Sequence, residues 1–183
     1  MSQGSHRITW ATWPQARIAV LNCTILAIAT VITYWLVTSL LSRVYSISRA
    51  DDLLGGLWAV IATIFVFRDS YEQSAAAAVS RMAATSVSFV LCLLYLIFLP
   101  VYGWAMALLI GLSALAVMLI GRPGDAVTAA ITTAVIMIVA AVTPRDAWEQ
   151  PILRFADTLV GVAVGVAAAW IGLRLIRPRI EPR

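Results

Sequence analysis

A chain of 183 residues has the length of one ordinary domain, but its composition excludes a water-soluble one. Hydrophobic residues make up 62% of it and charged residues 12%, about half the charged share of a globular domain, so the apolar excess has to face lipid. The thirteen cationic residues are all arginine and exceed the nine carboxylates, for a formal charge of +4; scattered singly between apolar runs, they suit orientation in a membrane better than binding of nucleic acid.

In chain order, residues 1–17 form a cytoplasmic or interfacial segment with Arg7, Arg17 and the sole histidine, His6, and with Trp10 and Trp13 placed as interfacial anchors. The apolar run that follows, 18–41, is too long for a signal-peptide core and reads as an uncleaved first span. A short second span, 53–67, follows Asp51 and Asp52, which suit N-cap positions beside the positive end of a helix dipole. The third, 76–99, is ended by Pro100, and the fourth, 101–120, follows at once to make a tight helical hairpin. The fifth, 126–143, stands behind Gly124 and Asp125 as its N-cap. The sixth, 155–176, has Pro151 where its first turn can begin, and a basic tail, 177–183, closes the chain. Trp104 and Trp148 suit anchors at the other face.

These runs approach the roughly 20 residues that cross a bilayer core, and the ten-residue alternation of barrel strands is absent. The expected fold is therefore an all-α polytopic membrane protein with six transmembrane helices over 18–176. Six spans put both termini on one side. Nine arginines (Arg7, Arg17, Arg68, Arg81, Arg122, Arg174, Arg177, Arg179, Arg183) then share that side, against Arg43, Arg49, Arg145 and Arg154 on the other, so both termini are expected in the cytoplasm. Cys23 and Cys92 lie in apolar runs without a CxxC, and a single histidine leaves no metal or catalytic constellation. Neither an enzyme nor a cofactor is expected.

A self-similarity recurs at 73 to 77 residues. Arg68-Asp69-Ser70-Tyr71-Glu72-Gln73 returns as Arg145-Asp146-Ala147-Trp148-Glu149-Gln150, and Arg81-Met82-Ala83-Ala84-Thr85 as Arg154-Phe155-Ala156-Asp157-Thr158. Earlier in each half, Arg49-Ala50-Asp51-Asp52 answers Arg122-Pro123-Gly124-Asp125. The apolar spans themselves do not align; the order of the flanking motifs argues for duplication, with repeats over about 18–99 and 101–176. Three spans per copy is an odd number, so the second copy enters the membrane from the opposite side. That is an inverted repeat, which places a substrate site near the repeat interface. Small residues line helix three at spacing four (Ala76, Ser80, Ala84, Ser88, Cys92), and Asp157, Gly161, Gly165 and Ala169 line helix six. Such stripes let backbones approach closely. Helices three and six are therefore expected to cross near a pseudo-twofold axis, with Ser88 and Gly161 at the contact.

An Arg-x-x-Gly-Thr-x-x-Gly opening to one span and an Arg-x-x-Asp-Thr-x-x-Gly opening to a later one resemble the fusaric acid resistance and aromatic acid exporter family. The second motif stands here as Arg154, Asp157, Thr158 and Gly161. The first keeps Arg81 and Thr85, but Ala84 and Ser88 replace its glycines; Trp58 in the second span also fits. The resemblance covers roughly 18–178. It implies proton-driven export of aromatic carboxylates or related small organic molecules across a bacterial inner membrane, by an assembly larger than one chain.

Five residues are the candidates for substrate binding or coupling. Arg81 and Arg154 begin their spans at equivalent places; each either offers a planar fork to a carboxylate or snorkels to the headgroups. Asp157 is the only carboxylate within the spans as drawn, and it either carries a coupling proton or caps its helix. Burial and a nearby arginine act on its titration in opposite senses. Arg81, Arg154 and Asp157 are expected to form one charged cluster at the repeat interface. Thr85 and Thr158 either bond a substrate or bond the carbonyl one turn back. Ser80, Ala84, Ser88, Gly161 and Gly165 are assigned to helix packing. Tyr34, Trp35, Trp58 and Trp170 are expected to face lipid, an aromatic pocket being the alternative, and Glu72 and Glu149 to lie in solvated loops. The expected partners are the bilayer, a small organic anion and further copies of the chain. The competing reading is a non-transporting subunit or scaffold, which needs no polar interior and tolerates Asp157→Ala.

Overall fold

The computed structural model describes residues 13–41, 49–144 and 147–176. His6, Arg7, Trp10, Arg43, Arg145, Asp146 and the basic tail 177–183 lie outside the described residues. Every regular element among those described is helical: α1 Trp13–Trp35, continued by a wide π turn Leu36–Leu41; α2 Arg49–Val66; α3 Tyr71–Phe98; α4 Gly103–Leu119; α5 Ala126–Val142, entered through a 3-10 turn Pro123–Asp125; and α6 Glu149–Ile176.

The boundaries follow from local chemistry. Ser70 caps α3, its hydroxyl accepting from the Gln73 backbone N–H at 3.2 Å. Pro100, which disfavours helix at Leu99, ends α3 in an extended residue. Gly121 ends α4 at φ +85°, with its own N–H bonded to Met118 O and that of Arg122 to Val117 O. This two-bond lock needs a left-handed residue, which glycine adopts without strain. Pro151 falls in the first turn of α6, where its missing N–H costs nothing.

Two capping expectations are corrected. α2 starts at Arg49, so Asp51 and Asp52 lie inside its first turn rather than before it, and Asp51 is buried. Asp125 stands at the N-cap of α5 but makes no capping bond. Its carboxylate accepts from the Ser80 hydroxyl of α3 and pairs with Arg122 at 3.4 Å, since these donors reach it from outside the helix.

Four stretches are long and apolar enough to cross a membrane: Ala16–Ser39, Tyr71–Phe98, Pro123–Val142 and Glu149–Leu175. α4 is apolar but has 17 residues, about 26 Å against a hydrocarbon core of about 30 Å. α2 holds Arg49, Asp51 and Asp52 in its first turn. The six expected helices are thus present, while length and composition qualify four of them as spans.

The interior is built from small side chains. Ala59, Ala62, Ala84, Ala105, Ala129 and Ala140 are fully buried, while Phe98, Leu119 and Val142 point outward. That distribution suits a helix bundle in lipid, where close backbone packing drives association and large apolar chains are at home outside. α6 lies along both α2 and α3 and also touches α1; α3 packs on α5, α4 on α5, and α1 on α2.

The expected partners of the small-residue stripes are corrected as well. α3 and α6 do lie together, but large rings join them: Phe89 and Phe155 have centroids 5.0 Å apart. Gly161 and Gly165 face α2. A Cβ on Gly161 would overlap the Ala59 carbonyl oxygen and sit 2.7 Å from Ala62 Cβ, and one on Gly165 would sit 3.0 Å from the Thr63 carbonyl oxygen. Ser88 faces α5, its hydroxyl 2.9 Å from Ala129 O, and Ala84 packs with Val117 and Ala129. The smallest side chains went where backbones touch, and a helix has more than one such side.

Candidate functional site: buried arginines between three helices

The first three turns of α6 and the first two of α2 face each other across a buried polar cluster. Arg154 is 2% exposed, and its Nη1 lies 3.3 Å from Asp157 Oδ2, one turn on along the same helix. Asp51 of α2 is within electrostatic reach of Arg154, and Asp52 within reach of Asp157. Gly55, one turn after Asp51, lies directly on the carboxylate: a Cβ there would sit 2.9 Å from Asp157 Oδ1. Buried Gln150 donates from Nε2 to Asp51 Oδ1 at 3.3 Å and to Thr143 Oγ1 at 3.1 Å, which ties α2 and α6 to the end of α5. The cluster is only partly satisfied: Arg154 Nε, Asp157 Oδ2 and Gln150 Oε1 are buried without a hydrogen-bond partner, and a buried ion pair with such gaps is costly to keep.

Arg81 is placed differently. It is 4% exposed, with no ion pair among the described residues, and its Nε and Nη2 have no hydrogen-bond partner. Its guanidinium carbon lies 5.1 Å from the ring centroid of Trp58 and 5.1 Å from that of Phe65. These two rings are seven residues apart on α2, hence on one face, and each offers a π surface to the cation. The sequence itself shows the missing counter-charge: Arg154 is followed three residues on by Asp157, whereas Arg81 is followed three residues on by Ala84. Arg81 also lies about 5 Å along the axis from the midpoint of the 28-residue α3, far from either end. Neither arginine snorkels outward.

The two threonines diverge. Thr158 donates to Arg154 O at 2.8 Å and accepts from Trp58 Nε1 at 3.1 Å. Thr85 is fully buried, and its hydroxyl has no partner. Arg81, Arg154 and Asp157 therefore do not form the one charged cluster expected of them. Arg154, Asp157 and Thr158 meet on α6, while Arg81 and Thr85 sit one turn apart on α3, and Trp58 stands between the two groups.

Sequence reasoning assigned Tyr34, Trp35 and Trp170 to lipid, and they are 42%, 61% and 50% exposed; Trp58, grouped with them, is 6% exposed. Trp58, Gly55, Asp51 and Gln150 are the residues that reading missed. Their signal was the spacing of Asp51, Gly55 and Trp58 at four and three residues, which puts all three on one helical face. Glu72 and Glu149 fall in the first turns of α3 and α6 rather than in loops. Among the described residues no group of three His, Cys, Asp or Glu is arranged to hold a metal ion.

Apolar helices of spanning length that enclose two arginines and two carboxylates define an integral membrane helix bundle with a polar interior. Residues 28–168 match the fusaric acid resistance protein-like family, and the chain belongs to it; the family is one of membrane transporters. The match runs from within α1 to within α6. No curated protein and no solved structure matches the chain.

Proposed function

We propose that the protein is a proton-coupled exporter of small organic acids, aromatic ones among them, in a bacterial inner membrane. The observation that carries this reading is the buried Arg81 fork. Nε and Nη2 present two parallel N–H bonds, the geometry that takes both oxygens of a carboxylate, and both are without partners. Leaving an arginine so placed is costly for a protein that needs it only as structure. Trp58 and Phe65 flank the fork with aromatic faces suited to a planar ring beside the carboxylate. Asp157, held by Arg154 in the same interior, is the group that takes and releases the proton. A scaffold would have no use for either arrangement.

Architecture in this reading is six spans in two inverted repeats, about 18–99 and 101–176, with both termini in the cytoplasm and several chains per assembly. The packing pattern supports it. Exchanging α1 with α4, α2 with α5 and α3 with α6 maps the neighbouring pairs onto one another. α1–α2 becomes α4–α5, α2–α6 becomes α3–α5, α1–α6 becomes α3–α4, and α3–α6 returns itself.

The test is Arg81→Lys, which keeps the charge and removes the fork, measured with radiolabelled benzoate in proteoliposomes under an imposed proton gradient. A charge-assisted hydrogen bond contributes about 1.5–3 kcal/mol, so losing one should weaken benzoate binding roughly 10- to 100-fold. Transport by this variant at the wild-type rate and affinity refutes the role of Arg81.

A further inference from the structure

Trp58 touches both halves of the site, through two chemically different parts of a rigid ring. Its π face receives the Arg81 guanidinium at 5.1 Å. Its Nε1–H donates to Thr158 Oγ1 at 3.1 Å, and that hydroxyl donates in turn to Arg154 O at 2.8 Å. We infer that Trp58 is the positioning residue that couples occupancy of the anion site at Arg81 to the protonation of Asp157. The inference rests on the reading of Arg81 as an anion site and goes beyond it, in naming how the two sites communicate.

The surroundings leave this path little slack. One face of α2 lies on α6 through Gly55, which abuts the Asp157 carboxylate, then Trp58 on Thr158, then Ala59 on Gly161. Thr63 adds a hydrogen bond to Gly161 O at 3.0 Å, and its hydroxyl lies 2.9 Å from that of Thr33 on α1. With the two backbones in contact, a shift in the turn 154–158 is passed to the indole edge instead of being absorbed by soft side chains. Protonation of Asp157 removes the charge that holds Arg154, and Thr158 is bonded to the Arg154 carbonyl in that same turn. Movement of the Thr158 hydroxyl tilts the indole, and Arg81 rests on its face. In the other direction, a carboxylate on the fork neutralises Arg81 and weakens its attraction to the ring. Linkage requires the two effects on affinity to be equal.

The charged groups that face Asp157 are few. Arg154 is on its own helix, Asp52 approaches from α2, and Asp51 of the same helix acts on Arg154. Arg81 of α3 makes no ion pair with Asp157 and reaches it through Trp58. α5 contains no charged residue, and the one within α1, Arg17, is exposed.

Binding of radiolabelled benzoate to the detergent-solubilised full chain, followed over a pH range in which benzoate itself stays ionised, tests the coupling. In the wild type the affinity should change roughly tenfold across the titration of Asp157, within the range of about 5 to 150 that site–site coupling spans. Trp58→Phe keeps a ring face for Arg81 and loses the N–H. Thr158→Val keeps the shape and loses the hydroxyl, and it carries the test if the tryptophan variant fails to elute as folded protein. Both variants should still bind benzoate, with an affinity that no longer changes with pH, as should Asp157→Asn. A wild-type pH dependence in Thr158→Val overturns the coupling role, as does benzoate binding by the wild type that ignores pH. Undiminished binding by Arg81→Gln removes the anion site itself, a failure read from affinity and not from the pH slope, and takes the coupling with it.

Discussion

Gly161→Ala is the smallest change that should separate α2 from α6. The added Cβ would overlap the Ala59 carbonyl oxygen and lie 2.7 Å from Ala62 Cβ, where carbon pairs rest at about 3.5–4.0 Å. Neither neighbour can rotate away, since one is backbone and the other a Cβ, so the helices have to part by about 1 Å. Overpacking of this kind costs about 1–3 kcal/mol. The separation also stretches the bond from Thr63 to Gly161 O and that from Trp58 to Thr158, each a net contribution of about 1 kcal/mol. Replacing glycine by alanine inside a helix returns about 1 kcal/mol, which leaves a net loss of about 3 kcal/mol. Gly111→Ala in α4 is the control: a Cβ there meets nothing within 4 Å, so only the helix-forming gain remains. Both variants are to be unfolded in mixed micelles by denaturing detergent and followed by tryptophan fluorescence. Equal stability of the two refutes the backbone contact between α2 and α6.

Asp157→Asn retains the side-chain shape and removes the titration. Proton-coupled efflux should be lost while the protein still folds, Asp51 remaining within electrostatic reach of Arg154. Full substrate efflux at wild-type abundance would leave Asp157 as the ion-pair partner of Arg154 only; it cannot cap the helix, since α6 begins eight residues earlier, at Glu149. Reporters fused to the C-terminus should be active only on the cytoplasmic side, since, with the buried Arg81 and Arg154 set aside, eight of the remaining eleven arginines then lie inside; activity confined to the outer side reverses the orientation.

The sequence by itself determined that the chain belongs in lipid, where its helices run, and which residues are chemically out of place there. Those properties are local: the length of an apolar run, a proline after Leu99, a glycine at 121, a carboxylate at 157. The recurrence of Arg81 as Arg154, with Ala84 set against Asp157, was also legible, and it already contained the difference between an unpaired and a paired arginine. Tertiary structure alone decided which helix faces which. A stripe of small residues announces a close contact without naming the partner, because every helix can accept one; Gly161 went to α2 and Ser88 to α5. Trp58 shows the same limit. An indole in an apolar helix is equally at home against lipid or in the interior, and only the crossing of α2 with α3 and α6 put a cation on its face and a hydroxyl at its nitrogen. Helix propensity and hydropathy act within a few turns, whereas the choice of neighbour depends on shape complementarity between surfaces about 100 residues apart in the chain, as Trp58 and Thr158 are.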